Sequence, residues 1–162
     1  ARPPHTGKAA QAFDDRGRTI AWVARTIHRL YTANAQRILD REGITIAHWY
    51  YLRVLAERGT LNQLELGKRV GIASTTAVTA LDSLEKRGLL CRSRDTSDRR
   101  KYFVSLTDEG RRVIDALMPD IEEMLVASVE GIPAADMRIF WKVLHRITDK
   151  LSETGGTQTV LD

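Results

Sequence analysis

Between Gly88 and Thr107 the spacing of side-chain character drops to two and then returns to the helical three and four. This switch constrains the chain more than any other feature. Leu90, Arg92 and Arg94 alternate, as do Tyr102, Val104 and Leu106, and the polar run Asp95-Thr96-Ser97-Asp98-Arg99 lies between them. Two period-two runs joined by a polar turn predict a β-hairpin. Everything around it reads as helix. From Thr19, Ile20, Val23, Ile27, Leu30, Asn34 and Ile38 recur at helical spacing until Gly43. Thr45 opens a second helix with Trp49, Leu52, Leu55 and Ala56 inward, stopping near Gly59. Thr60-Leu61-Asn62-Gln63 reads as a capping box ahead of a third helix that ends at Val70 and the Gly71 turn. A fourth helix runs from Ala73 or Ser74 to Arg87.

After the hairpin, Thr107 caps a fifth helix carrying Val113, Ile114, Leu117, Met118, Ile121, Met124 and Leu125, which Pro119 is expected to kink. Pro133 starts a sixth helix, in which Met137, Phe140, Leu144, Ile147 and Leu151 make a heptad seam. The expected class is mainly α with a small β-hairpin wing: a winged helix-turn-helix with N- and C-terminal dimerisation helices. The expected division is a flexible arm over 1–18, a helical dimerisation region over 19–44 and 108–153, a DNA-binding region over 45–107, and a loose tail over 154–162.

Several function classes fall away on composition. The chain has 162 residues, 43% hydrophobic and 28% charged, which suits a packed globular fold. No apolar run reaches the roughly 18 residues of a membrane helix, and no signal-peptide pattern stands at the start, so the expected compartment is cytoplasmic with no membrane partner. Its single cysteine, Cys91, excludes an internal disulfide and a multi-cysteine zinc site. In the hairpin strand beside Arg92, Cys91 reads as a small packed residue rather than a redox sensor. His5, His28, His48 and His145 show no paired ligand spacing, so no metal is expected, and no cofactor. No nucleophile elbow, phosphate loop or zinc-helix motif occurs, and the chain is not expected to be an enzyme.

Charge singles out one segment. Residues 86–101 carry seven bases against two aspartates, a net +5, where the whole chain carries +4. A local basic concentration suits a polyanion, although a solvated turn has the same composition. The fourth helix sharpens the choice. At about 100° per residue, Ala77, Val78, Leu81 and Leu84 cluster on one side, while Thr75, Thr76, Thr79, Ser83 and Lys86 point the other way. Small hydroxylated side chains can sink into a major groove about 12 Å wide and reach phosphates, base edges or thymine methyls. An ordinary solvent-facing side is the alternative, but such sides favour Glu and Lys. Arginines at the hairpin tip suit a narrow minor groove, and an aspartate two residues before an arginine can hold its guanidinium.

Leu64-Glu65-Leu66, Val70-Gly71-Ile72, Val78-Thr79, Leu84-Glu85-Lys86-Arg87-Gly88-Leu89-Leu90-Cys91-Arg92, Asp98-Arg99-Arg100 and Val104-Ser105-Leu106-Thr107-Asp108-Glu109-Gly110 together resemble the MarR family of winged helix-turn-helix regulators. The resemblance spans residues 20–152 in element order and is strongest over 60–110. It implies a homodimer, held by the first, fifth and sixth helices, on a pseudo-palindromic double-stranded DNA operator. It also implies a ligand-responsive transcriptional regulator, read here as a repressor. The fourth helix would read the major groove through Ser74, Thr75, Thr76, Thr79, Ser83 and Lys86. The wing would engage DNA through Arg94, Asp98, Arg99, Arg100 and Lys101, with Arg100 entering the minor groove and Asp98 steadying it. Ala80 and Ser83 stand where many members carry arginine, and Gly67 where alanine is common.

Trp22, Tyr31, Trp49, Tyr50 and Tyr51 fall within thirty residues of one another, with His28 and His48 among them. Trp22, Arg25 and His28 lie off the first helix's apolar stripe. MarR-like proteins often bind small aromatic acids or their thioesters between the dimer helices and the DNA-binding lobe. The expected effector is therefore a small aromatic carboxylate or an aromatic acyl-CoA, held by Trp22, Arg25, His28, His48, Trp49 and Tyr50. Trp49 and Tyr50 also fit a plain core role. A constitutive DNA-binding or architectural protein without an effector is the alternative.

Overall fold

The computed structural model describes residues 12–71, 74–96 and 101–155, and only the backbone of Ser74, Thr75, Thr76 and Gly155. Two compact units divide at Ile46/Ala47.

The first unit holds helix α1 (Ile20–Leu39), a 3-10 turn (Asp40–Glu42) and the approach to α2. The Thr19 hydroxyl caps α1 by accepting from Trp22 N. Within the segment read as an arm, residues 13–18 form a closed turn. Asp14 accepts from the Arg16 and Arg18 amides and from Arg18 Nε at 2.6 Å, and Phe13 bridges Thr19. Those bonds, the Arg18 side chain first, hold the Asp14 carboxyl below its usual range. Gly43 takes left-handed angles (φ 62°), as its position after the first helix requires. Gln36 spans the turn, donating to Asp40 and the Ile44 carbonyl and accepting from Ile46 N. Only Ala35 and Leu39 of α1 are buried; Ile20, Ile27 and Leu30 of its predicted stripe are exposed.

The second unit runs α2 (Ile46–Arg58, from its second residue), β1 (Leu61–Asn62), α3 (Gln63–Val70), α4 (Ser74–Lys86), β2 (Leu90–Arg94), β3 (Tyr102–Leu106), α5 (Asp108–Ala127) and α6 (Ala134–Gly155). The sheet order is β1-β3-β2, all antiparallel, with Leu90 opposite Leu106 and Arg94 opposite Tyr102. The hairpin strands end where the period-two runs end. Trp49, Tyr51, Leu52 and Leu55 of α2, Leu66 of α3, Leu81 and Leu84 of α4, Leu90 and Val104 of the strands, and Val113, Ile114, Leu117 and Ile121 of α5 are buried.

One junction explains why Leu84 through Leu90 and Leu106 through Gly110 travel together as motifs. Leu89 N donates to Leu84 O, and Thr107 N to Leu89 O. The Thr107 hydroxyl donates to the Gly88 carbonyl and accepts from Gly110 N, so it caps α5 and ties the wing's base at once. Gly110 packs so closely on Leu89 that a Cβ there would overlap the Leu89 carbonyl.

Four expectations are corrected. The cap of α3 is Asn62, whose side chain accepts from Glu65 N at 2.8 Å, and Thr60 is displaced from that role because Leu61 and Asn62 pair with β3. Val78 faces outward, 43% exposed, while Ala80 is buried. At about 100° per residue, Ala77, Ala80, Leu81 and Leu84 share one arc of about 100°, and Val78 lies about 60° beyond its edge. Ala56 is exposed, and Tyr51 holds the α2 core instead. Finally, Cys91, expected to be a packed residue, is exposed on β2, with its Sγ 3.1 Å from Ser105 Oγ; α5 runs through Pro119 as one span.

Candidate nucleic-acid interface

Helix-turn-helix geometry is set by glycine and a cap. Gly71, at φ 72°, closes α3, donating to Gly67 and Lys68 carbonyls. After residues 72–73, α4 begins at Ser74. Ala77, Ala80, Leu81 and Leu84 anchor α4 inward, which leaves Val78, Thr79 and Lys86 exposed and Ser83 half-buried. Ser74, Thr75 and Thr76 form its first turn. The fold therefore presents one side of α4 with the predicted hydroxyls of Thr79 and Ser83, the Lys86 charge and an unpredicted apolar residue, Val78.

The wing follows directly. Arg94 ends β2 opposite Tyr102, donates from Nε to the Tyr102 hydroxyl at 3.1 Å, and lies 5.5 Å from the ring centroid. This contact pre-orients an exposed guanidinium. Lys101 is exposed, and its carbonyl accepts from Asp95 N. Asp98, Arg99 and Arg100 lie outside the described residues, so the Asp98–Arg100 pairing has no geometry here.

Sequence reasoning missed a third element. Arg92 counted as one more base of the wing, yet it turns back onto α4. Its Nη2 lies 2.6 Å from Asp82 Oδ1 and 2.6 Å from Glu85 Oε2, its Nε donates to Glu85 Oε2 at 2.9 Å, and its backbone N–H donates to Glu85 Oε1. The Arg92 guanidinium accordingly holds the Glu85 carboxyl below its usual range, and the Arg92 pKa is raised, by Glu85 first. The only sequence signal was two acids on a helix otherwise poised for DNA. An open groove of about 360 Å³, lined by Gln63, Glu85, Arg92 and Tyr102, runs alongside.

The candidate effector residues fall in both units. Trp22, Arg25 and His28 are exposed on α1, with the Arg18 guanidinium 5.4 Å from the Trp22 ring centroid. In the first turns of α2, His48 is half-buried, Trp49 is buried in the core and Tyr50 is at the surface. Burial first, and the Arg87 charge second, push the His48 pKa down. Tyr51 is fully buried, its hydroxyl has no hydrogen-bond partner, and burial pushes its pKa up. Among the described residues, no group of three or more His, Cys, Asp or Glu could hold a metal ion, and no helix is long and apolar enough to cross a membrane.

Comparison with known proteins agrees with this geometry. The sequence profile of the MarR family matches residues 44–102. The HTH-type transcriptional regulator FarR of Neisseria gonorrhoeae is 33% identical over 110 residues, covering 68% of this chain and 75% of that protein. The HTH-type transcriptional repressor MdtR of Bacillus subtilis (strain 168) is 33% identical over 119 residues, 74% of each chain. The Staphylococcus aureus MarR structure, in complex with salicylate and kanamycin, superposes with a TM-score of 0.72 at 25% identity, covering 79% of this chain and 87% of that one.

Proposed function

The chain belongs to the MarR family of winged helix-turn-helix DNA-binding transcriptional regulators, and on that premise we propose a homodimeric repressor that a small aromatic carboxylate, or a CoA thioester of one, releases from a pseudo-palindromic operator. The observation that carries the reading is the succession of two surfaces: the hydroxylated side of α4 and, three residues later, a basic wing whose Arg94 is held by Tyr102. Consecutive elements of this kind meet a major groove and the adjoining minor groove together. Thr79, Ser83 and Lys86, with the first-turn residues Ser74, Thr75 and Thr76, read or support the major groove. Arg94, Arg99, Arg100 and Lys101 serve the wing, Asp98 orienting Arg100.

Dimerisation rests on α6. Among its described residues none is buried, and Phe140 and Leu151 of its seam are exposed, as are Ile139, Trp141 and Val143. So much apolar surface on one helix asks for a partner, and a second copy related by a two-fold axis also matches a palindromic site.

For the effector, one solved relative is bound to salicylate, an aromatic carboxylate. Tyr50, exposed at the start of α2, suits a ring better than buried Trp49. Arg25, His28 and His48 are the candidate cationic or hydrogen-bonding partners for an acid group, and Trp22 is a further aromatic candidate. Such a ligand releases DNA only by binding more tightly to a conformation that misfits the operator.

Titrate benzoates, hydroxycinnamates and their CoA thioesters while following tryptophan fluorescence and operator release. The expected result is a ligand that loosens operator binding roughly 5- to 150-fold and binds DNA-bound protein more weakly by the same factor. If none of them perturbs either signal, or a binder has equal affinity for free and DNA-bound protein, the effector reading fails.

A further inference from the structure

Arg92 sits in the most basic segment of the chain, and simple charge counting makes it a phosphate contact. Its geometry argues otherwise. Two guanidinium nitrogens and its own backbone N–H are committed to Glu85, and Nη2 also reaches Asp82. The side chain is 21% exposed, against 38% for Glu85 and 47% for Asp82. A phosphate would have to displace a chelated pair of carboxylates, which forked arginine geometry disfavours.

The placement matters as much as the bonds. Asp82 and Glu85 are on α4, Arg92 is at the middle of β2, and between them the chain turns at Gly88, φ 69°. Below the turn, the Thr107 hydroxyl and the Leu89 amide hold the wing's base. Above it, Arg92 ties β2 to α4 through Glu85 and Asp82. It also neutralises two carboxylates on the helix that is to face a polyanion.

We propose that Arg92 is a positioning residue: with Glu85 and Asp82 it forms a bracket that sets the wing's angle to the recognition helix and makes no phosphate contact itself. This rests on the reading that α4 and the wing meet DNA together. The bracket fixes the distance between the major-groove and minor-groove contacts, and so contributes to operator specificity from outside the contact surface.

The test uses the full chain and an operator selected by the wild-type protein from random duplexes. Affinity is measured across a salt series for Arg92→Gln, Arg92→Lys, Glu85→Gln, Asp82→Asn and Arg94→Ala, with melting and sedimentation to confirm folded dimers. Arg92→Gln should weaken operator binding about tenfold while the log–log salt slope stays at the wild-type value. Glu85→Gln should weaken it too, although it removes a negative charge from a DNA-facing helix. Arg92→Lys keeps the charge but cannot fork to both acids, and should recover only part of the loss.

The proposal is overturned if Arg92→Gln reduces the slope by about 0.9 per subunit, the signature of one lost phosphate contact in each. It is equally overturned if Glu85→Gln tightens binding, or if Arg92→Lys restores it in full, since either result reduces the cluster to charge balance. Should Arg92→Gln fail to fold, Glu85→Gln and Asp82→Asn, whose acids are more exposed, decide the question by the sign of their effect. Arg94→Ala reports on the underlying reading. If it leaves affinity and slope untouched, the wing is away from DNA and both ideas fall. If it shrinks the slope and Arg92→Gln does the same, only the positioning role falls.

Discussion

Replacing Gly110 by alanine should destabilise the protein, although Gly110 lies in a helix where alanine is ordinarily favoured. A Cβ at this position would overlap the Leu89 carbonyl oxygen and lie 3.0 Å from its carbon and 3.1 Å from Leu106 Cδ2. The obstacle is backbone, so no rotamer change relieves it. The first turn of α5 must move away from the wing's base, which weakens the Thr107 N–H to Leu89 O bond of 3.2 Å. Overpacking of this kind costs about 1–3 kcal/mol and the loosened bond about 1. Helix propensity returns up to about 1 kcal/mol. The net is a loss of about 2 kcal/mol, or roughly 4–8 °C in Tm for a chain of this size. Gly67, inside α3, is the control: among the described residues nothing lies within 4 Å of its Cβ position, so Gly67→Ala should gain up to about 1 kcal/mol. Both are read by thermal and denaturant unfolding at one fixed protein concentration, because any self-association would couple to stability. A Gly110→Ala protein as stable as wild type, or a Gly67→Ala protein less stable, would refute the packing argument.

Thr107→Ala removes both the α5 cap and the bond to the Gly88 carbonyl, and should cost about 1–2 kcal/mol in denaturant unfolding. Phe140→Glu should convert a dimer of twice the chain mass into monomer at micromolar concentration, as read by sedimentation; a folded wild-type monomer at that concentration would contradict the α6 argument. Arg94→Ala should lower the magnitude of the log–log salt slope of operator binding by about 0.9 per subunit. Because burial depresses the His48 pKa below its ordinary 6.5, the unfolded chain takes up the proton more readily. Stability should therefore fall as pH drops through about 6.5 towards the folded-state value, and His48→Gln should flatten that part of the profile.

The hairpin was legible to the residue because a period of two has few other causes, and its ends are fixed by Thr107 and Gly88. The cap of α3 was misread because two candidate boxes overlap, Thr60 with Gln63 and Asn62 with Glu65; pairing of Leu61 with Val104, a partner forty-three residues away, decides between them. Val78 misled by its hydrophobicity: apolarity favours valine over alanine, whereas Ala80 lies inside the arc of Ala77, Leu81 and Leu84 and Val78 outside it. Arg92 was invisible as a bracket because its partners stand seven and ten residues back on a different kind of element, and no spacing rule joins a helix to a strand. The apolar periodicity of α1 and α6 was plain in the sequence, and much of both stripes is exposed in the single chain.

The Arg92 backbone amide has a consequence beyond DNA. β2 is the outer strand of the wing sheet, and outer strands offer unpaired amides to any extended segment that drifts by. Glu85 Oε1 already occupies the amide at the middle of that strand. A foreign β-segment would have to evict a carboxylate before it could dock. That carboxylate thereby opposes strand addition at the middle of this edge, and with it the fibrous self-association that strand addition seeds.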